Sequence, residues 1–562
     1  MDKRSLIALI VCGLIMILYF PFILPMLSKR TENTQEGFLL EETDEIKTEE
    51  KQRSLSLLPS QSAVPQADIS LEDVVIENEL VRTVWTNEGA ALKSIQLKEF
   101  KAVDTKNTLD LVKSVDTGYL PLAIDTIFQE TNFRNHRYSI ADRSGGKITF
   151  STSLGDGVNL VKTVSLPYDK YHVSMDVIIE NNTDAEVDLA YTIIASSMIT
   201  HEGEPSTDMA AVTGVDMENN RIKLVKTAPK SFPSQNESRG IVWTGSMNKY
   251  FATVLKPESS NWIESVNAQA FDAHGALSNE KATQGDFLVR LQTNNLRVPP
   301  HNIIKHTYLY FIGPKKEDVL VQYDTLSSLL SYGWLNSISK ALLGFLNAVH
   351  RVIPNYGISI IILTIIIKAC LFPLTRKSQV SMFKMQQLQP LINQLKEKYK
   401  DKQRVGKEQM LLFKKHGVNP MSGCLPMLLQ LPVFFALFRT LQLSFEMRQA
   451  PFVLWINDLS RPDTLLLLPF TIPFLGNTLN ILPLIMTGAS FAQMKITPKS
   501  PAADPQAQAQ QKMMSFMPIM FAFILYKMPS GLTLYWTTST IFSIIESIFI
   551  RKSTKKLKIN HP

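Results

Sequence analysis

The hydrophobic positions of this chain follow three rhythms, and each marks a different kind of element. Residues 5–27 are continuously apolar behind Lys3 and Arg4, are longer than a usual signal core, and end without a small-x-small cleavage pattern; they read as an uncleaved membrane anchor, residues 1–30. From residue 71 the period changes to two. Tyr171, Val173, Met175, Val177 and Ile179 alternate with His172, Ser174, Asp176 and Glu180, residues 306–311 have the same strand character, and residues 87–89 and 144–146 are turn signals. Residues 71–325 are therefore predicted to form a large, mostly antiparallel β-sandwich. Beyond it the spacing turns helical. Residues 331–350 place Tyr332, Trp334, Leu335, Ile338, Leu342, Leu343, Phe345, Leu346 and Val349 at helical intervals among polar residues, which predicts an amphipathic helix on the outer membrane interface. Apolar runs at 358–372, 421–441, 480–494, 513–528 and 532–550 then predict a five-span helical bundle, residues 354–550, with its first helix ending near Pro373. Residues 465–475 are as apolar but short, and contain Pro469 and Pro473; they read as interfacial or packed against the bundle.

Charge orients these elements. Between residues 376 and 415, eleven Lys or Arg (376, 377, 384, 396, 398, 400, 402, 404, 407, 414, 415) face three acids (Glu397, Asp401, Glu408), whereas the loop over residues 442–478 has no basic excess. The positive-inside rule puts the first loop and the basic tail, residues 551–562, in the cytoplasm, and the sandwich on the other side of the membrane. Both termini are then cytoplasmic. Within the basic loop Val380, Phe383, Leu388, Leu391 and Leu395, followed by residues 410–413, predict a helical hairpin over 376–416 with an apolar seam and basic outer faces. Residues 31–70, acidic and then rich in Ser, Pro and Gln, read as a flexible linker. The net charge of +7 is thus membrane topology, not a nucleic-acid site, and DNA is not an expected partner. Cys12, Cys370 and Cys424 all fall in predicted membrane helices, so no disulfide framework is expected. No HExxH, GxSxG or nucleotide-binding motif occurs, and the dispersed histidines of the sandwich read as structural; neither an enzyme nor a cofactor is indicated.

Polar groups inside the apolar runs carry the candidate chemistry. Lys368 stands eight residues before Arg376, about 12 Å along a helix, and so belongs to the cytoplasmic half of its span. Two readings compete for it: a snorkelling side chain, and one that enters a water-filled cavity. The last helix tips the balance, because Thr537, Thr540 and Ser543 hydroxylate one surface and Glu546 falls at a depth similar to that of Lys368. Gln430, Thr487, Ser490 and Gln493 add polar groups on two further helices. Together they suggest a hydrated groove open to the cytoplasm, which would shorten the hydrocarbon a polar segment must cross.

Ordered motifs run through the helical half of the chain. They are Gly357-Ile358-Ser359-Ile360-Ile361 through Lys368, Phe372-Pro373-Leu374-Thr375, Met385-Gln386-Gln387-Leu388-Gln389-Pro390 and Val418-Asn419-Pro420. Gly423-Cys424-Leu425-Pro426, Gln430-Leu431-Pro432, Arg448-Gln449-Ala450-Pro451-Phe452, Met517-Pro518, Pro529-Ser530-Gly531-Leu532 and Tyr535-Trp536 continue the set. This set resembles the YidC/Oxa family of membrane-protein insertases, in its long Gram-negative form, and the resemblance implies a noncovalent insertase and chaperone that moves nascent transmembrane segments from the groove into lipid, alone or with the Sec translocon. It places Ile361, Met427, Phe434, Tyr535 and Trp536 as candidates for guiding a sliding segment. It also implies ribosome and targeting contacts, and anionic phospholipids, for the basic surfaces at Lys384, Lys398, Lys402, Arg404, Lys407, Arg551, Lys552, Lys555 and Lys556. Relatives usually carry Arg where this chain has Lys368, Asn at Thr540 and Gln at Glu546, so bidentate hydrogen bonding is lost here and Glu546 is expected to offset part of the Lys368 charge. A small-solute transporter or channel and an accessory periplasmic scaffold are the alternative readings; no inverted repeat supports the first.

Overall fold

Alternation decides the first half of the structure. The computed structural model describes residues 69–330, 335–399, 401–418, 425–473, 475–497 and 505–554, omitting 104–106, 113–117, 128–130, 156, 198, 203–208, 218–220, 228–239, 272–276 and 279–285 within the first range. The expected anchor and nearly all of the linker lie outside the described residues. The described residues fall into two compact units, one of residues 69–330 with 443–445, the other of 335–442 with 446–554.

In the first unit, Val173, Met175, Val177 and Ile179 of strand His172–Asn181 are at most 1% exposed, while their neighbours keep partial contact with solvent. That strand is central to a nine-stranded antiparallel sheet. In spatial order the sheet runs Arg221–Thr227, Ala210–Met217, Ile241–Met247, Phe251–Pro257, Asn302–Pro314, His172–Asn181, Val158–Ser165, Lys147–Gly155 and Ser139–Ser144. A six-stranded antiparallel sheet built around Ile263–Phe271, Phe287–Thr293 and Tyr191–Ser197 shares its apolar core, and a buried hydrogen bond of 2.8 Å joins Ser196 to Thr253 across the two. This is the sandwich geometry that period-two patterning demands. Gly145 and Gly146, at φ +57° and +75°, close the two-residue hairpin between the last two strands of the larger sheet, a turn that needs the left-handed region at both positions.

One inward position of this unit is a lysine. Lys162 is fully buried on Val158–Ser165, and its ammonium donates to the carbonyl of Ala90 at 2.7 Å and to that of Leu122. Both acceptors belong to non-glycine residues held at positive φ, +47° and +63°, so the lysine ties down two strained turns. The Trp85 ring lies 5.9 Å from Nζ, and burial lowers the Lys162 pKa to about 7. Two histidines are held in a comparable way. His306 is held by the Tyr191 hydroxyl at 2.6 Å and stacked on Trp262, with burial lowering its pKa to about 4, and His201 meets Asp286 at 2.7 Å. Among the described residues no group of three His, Cys, Asp or Glu is arranged to hold a metal.

The second unit is helical: α1 (Asn336–Val352), α2 (Tyr356–Gln387), α3 (Gln389–Lys398), α4 (Lys402–Lys415), α5 (Leu425–Leu443), α6 (Leu482–Ile496), α7 (Pro505–Leu525) and α8 (Ser530–Thr554). α1 buries Ser339, Leu343 and Leu346, and packs on α5 through a Ser339 hydroxyl that donates to the Ala436 carbonyl at 3.2 Å. Asn355 caps α2 by accepting from the Ile358 amide at 3.1 Å, and its own amide donates to the Phe452 carbonyl at 3.0 Å. Gly357 follows because the Phe452 ring occupies its Cβ position; a methyl there would lie 2.1 Å from the ring. Among the described residues α2 is the one helix long and apolar enough, by length and composition, to cross a membrane.

The structure corrects one expectation and gives a second segment its secondary structure. α2 does not end near Pro373 but runs through it to Gln387; the proline removes a donor from the ladder, and the Thr375 hydroxyl, 3.1 Å from the Leu371 carbonyl and 3.0 Å from that of Phe372, is bonded into the same turn. The run 465–475, which reads from sequence as interfacial or packed against the bundle, falls in a β-hairpin over its described residues, Thr464–Ile472 paired antiparallel with Gly476–Asn480. Pro469 and Pro473 disfavour a helix there, and the leucines accept an extended backbone. At the other end of the unit, Met385, Leu388, Ile392, Phe413 and Val418 form the apolar seam between the end of α2, α3 and α4.

Candidate functional site

The helical unit inverts the usual rule of burial. Ile365, Ile366, Phe516, Ile519, Phe523, Ile541, Ile545 and Phe549 are exposed, while Ser359, Thr364, Lys368, Thr440, Thr533, Thr537, Thr540, Glu546 and Ser547 are buried. An apolar exterior with polar side chains drawn inside, beside an apolar core, is what a lipid solvent selects, since nothing in hydrocarbon hydrogen-bonds a polar side chain. The polar residues concentrate where α2 packs along α8.

Lys368 is 9% exposed, and its ammonium donates to the Ser543 hydroxyl at 2.9 Å. Glu546 is 4% exposed and stands one turn further along α8, where it accepts from the Thr375 hydroxyl at 3.5 Å. The structure thus brings Lys368, Ser543, Thr375 and Glu546 together, with the two charges within electrostatic reach but each hydrogen-bonded to a hydroxyl. The spacing is simple: Ser543 and Glu546 are three residues apart on one helical face, and Lys368 and Thr375 lie two turns apart on α2.

A second polar contact links α5 to α8, where the Gln430 amide donates to the Tyr535 hydroxyl. The remaining predicted polar residues behave differently. Thr537 donates to the Thr533 carbonyl at 2.7 Å, Thr540 to Trp536 at 2.9 Å, Thr487 to Pro483 at 2.7 Å and Ser490 to Met486 at 2.8 Å. Each hydroxyl spends its proton on its own helix one turn back and keeps lone pairs to offer. Gln493 is half-buried on α6. Among the candidates for guiding a segment, Phe434 and Trp536 meet edge to face at 5.0 Å, Tyr535 is buried, Ile361 packs half-buried beside them, and the Met427 side chain lies outside the described residues. Thr375 was missed as a site residue by sequence reasoning; its signal was its place in the Phe372–Thr375 motif, two turns from Lys368.

The basic candidates separate by exposure. Lys398, Arg404 and Lys407 are exposed on α3 and α4, with the Tyr399 ring 4.8 Å from Arg404 Cζ and 5.6 Å from Lys398 Nζ. Lys384 is half-buried at the end of α2, Arg551 and Lys552 are exposed on α8, and Lys555, Lys556 and the Lys402 side chain lie outside the described residues.

A polar, charge-bearing seam inside a helical unit with an apolar exterior, joined in sequence to a β-sandwich, defines a membrane-embedded class of protein. Comparison with known proteins agrees. Residues 348–557 match the family model described as 60Kd inner membrane protein, and residues 73–344 match the YidC periplasmic domain. The membrane protein insertase YidC of Pelobacter propionicus is 34% identical over 88% of this chain and 89% of its own length. That of Syntrophus aciditrophicus is 30% identical over 98% and 100%. Among solved structures, an active YidC insertase with its first transmembrane domain resolved aligns over 85% of this chain and 93% of its own, at 18% identity and a TM-score of 0.34. A galactose mutarotase-like protein from Lactobacillus casei aligns over 43% and 100%, at 11% identity and a TM-score of 0.31. The chain belongs to the YidC family of membrane-protein insertases. It is accordingly an inner-membrane protein with a periplasmic β-domain, an insertase and not an enzyme, and its family implies nascent membrane proteins and the Sec machinery as partners.

Proposed function

We propose that the seam between α2 and α8 is the receiving groove for nascent transmembrane segments, with Lys368, Ser543, Glu546, Thr537, Thr540 and Gln430 lining it, and Thr487, Ser490 and Gln493 extending it along α6. The single observation that carries this is Lys368: an ammonium buried inside a lipid-facing unit and held by one hydroxyl, Ser543. An ammonium unsupported at a membrane centre costs about 2.5–3.5 kcal/mol on insertion scales, so the site keeps it for a purpose other than stability. Its charge attracts acidic residues of a segment on its way across, and the hydroxyls of α8 replace part of that segment's water. Once the polar part is held, the apolar part moves past Ile361, Met427, Phe434, Tyr535 and Trp536 into lipid. Hydrophobic partition drives the movement, with help from the membrane potential on translocated charge.

Around this groove we read five spans and an amino-terminal anchor, both termini cytoplasmic, with the basic α3–α4 hairpin and tail meeting ribosomes, targeting factors and anionic phospholipids. Glu546 beside Lys368 makes the groove less attractive to acidic segments than a lone cation would be. The test is insertion of short single- and double-spanning substrates into liposomes, scored by protease protection, for the native chain and for Lys368→Ala, Lys368→Arg and Glu546→Gln. The expected result is at least about a tenfold loss for Lys368→Ala with acidic translocated segments, corresponding to roughly 1.4 kcal/mol, a smaller loss with neutral ones, and a gain with acidic segments for Glu546→Gln. Equal insertion by all four proteins would overturn the groove and leave Lys368 as an interfacial side chain.

A further inference from the structure

The hairpin Thr464–Asn480 has no place in the groove, and its surface is unlike that of any other strand. Over residues 464–480 there is no charged side chain, and Leu465, Leu466, Leu467 and Phe470 are 37%, 56%, 73% and 60% exposed. Because consecutive strand residues point to opposite sides, exposed leucines at 465, 466 and 467 mean that both faces of the strand are apolar. Water disfavours such a surface, and an exposed apolar edge strand is a template for aggregation.

The base of the hairpin, in contrast, is fixed. Asp463 is buried and accepts from the Ile481 and Leu482 amides at 3.0 and 2.6 Å, capping α6, and from the Trp455 indole at 3.1 Å. Asn480, fully buried, donates to the Tyr526 carbonyl at 2.7 Å, and the Tyr526 hydroxyl donates to the Thr478 carbonyl at 2.8 Å. The apolar blade therefore stands on a rigid polar foundation. Its surface continues into α6, whose first turn exposes Leu484 and Ile485 at 51% and 44%.

We propose that this hairpin is an interfacial membrane anchor, its leucines and Phe470 seated among the lipid chains of the outer leaflet beside α6. Lipid is the occupant because the blade is continuous with the lipid-facing helix surface and carries no charge to select a protein. Depth follows from the backbone: a two-stranded hairpin has unpaired N–H and C=O groups along both edges, which hydrocarbon would leave unsatisfied. The hairpin thus lies about 5–10 Å into the boundary between headgroups and chains, as amphipathic elements do, and not across the core. Placement on the outer side rests on the topology proposed above.

The experiment uses the full-length chain with Cys12, Cys370 and Cys424 replaced by serine, nitroxide-labelled at Leu467→Cys, Phe470→Cys or, as an aqueous reference, Tyr168→Cys. In liposomes of phosphatidylethanolamine and phosphatidylglycerol, the ratio of oxygen to nickel-chelate collisions at 467 and 470 is expected to exceed that at 168 by about fivefold or more, since apolar oxygen concentrates where the chelate is excluded. A ratio equal to that at 168 would put the blade in water and overturn the proposal. Low collision with both reagents would mean a protein cover and overturn it equally. Sidedness is read separately, from labelling of Asn477→Cys by an impermeant maleimide in spheroplasts. Labelling supports the outer leaflet; no labelling alongside a lipid-type collision ratio would overturn the outer-side topology and not the lipid contact.

Discussion

At the scale of single residues, Lys162 and Lys368, two of the buried lysines, illustrate opposite uses of a charge. Lys368 is held by one hydroxyl on a neighbouring helix, whereas Lys162 is held by two backbone carbonyls and faces an aromatic ring. Lys162 is therefore a fastener, and its cost is visible in pH. Burial lowers its pKa from 10.5 to about 7 in the folded chain, so between those values the unfolded state binds the extra proton. Stability must then rise with pH across that window and be flat in this contribution below it; the gain from pH 7 to 9.5 is at most about 3 kcal/mol. Calorimetry of the detergent-solubilised chain at the two pH values checks this for the transition of the β unit, against Lys162→Met. The variant is expected to lose the pH slope, and also to be less stable at high pH because the Ala90 and Leu122 carbonyls are left without their donor, at about 1–3 kcal/mol each. A slope that survives in Lys162→Met assigns it to other groups.

At the scale of elements, α8 separates hydroxyls that support the helix from one that supports the site. Thr537 and Thr540 bond their own backbone, so Val in their place keeps the shape and loses only a local bond; stability and insertion are expected to change by less than about 1 kcal/mol and twofold. Ser543→Ala removes the acceptor of a buried ammonium, and the expected loss of insertion is several-fold, restored in part by Ser543→Thr. Protease-protected insertion, run on the three single variants, ranks them; a larger loss at Thr537 or Thr540 than at Ser543 would make the threonines the groove's working surface. The same helix shows how far sequence could be read. Its hydroxyl pattern was legible from spacing, as was the inward set at Val173, Met175, Val177 and Ile179, because period and burial are local consequences of backbone geometry. Which partner each polar group takes was not, since Ser543 and Thr375 become neighbours of the charges only through packing of helices some 170 residues apart, Lys368 and Ser543 being separated by 175. The hairpin escaped for another reason: the run of leucines from 465 to 468 fits strand or helix, and only the flanking prolines and the Gly476 turn at φ +92° decide between them.

At the scale of the whole molecule, the β unit and the helical unit carry separate cores. The β core is closed by its strands together with Leu320, Tyr323, Leu326, Leu329 and Phe445, with Trp85, Trp243, Tyr138 and Phe150 among its fully buried side chains, and the helical core is built from Leu346, Ile360, Leu437, Leu459, Met486 and Leu532. Every polar contact of the groove lies within the helical unit. A chain in which residues 73–330 are replaced by a flexible Gly/Ser linker of about 20 residues should therefore integrate into the membrane, since Gly- and Ser-rich linkers close loops at little entropic cost. Insertion of single-spanning substrates in liposomes is expected to stay within about threefold of the full chain, or less than 1 kcal/mol. The comparison also separates two roles. If the truncated protein integrates, keeps the Lys368-dependent discrimination between acidic and neutral segments and inserts them, the groove is sufficient and the sandwich serves another purpose at the periplasmic face. Loss of all insertion by a truncated protein that still integrates and resists protease like the full chain would make the sandwich an obligatory part of the device, and the division into units a division of fold without a division of labour.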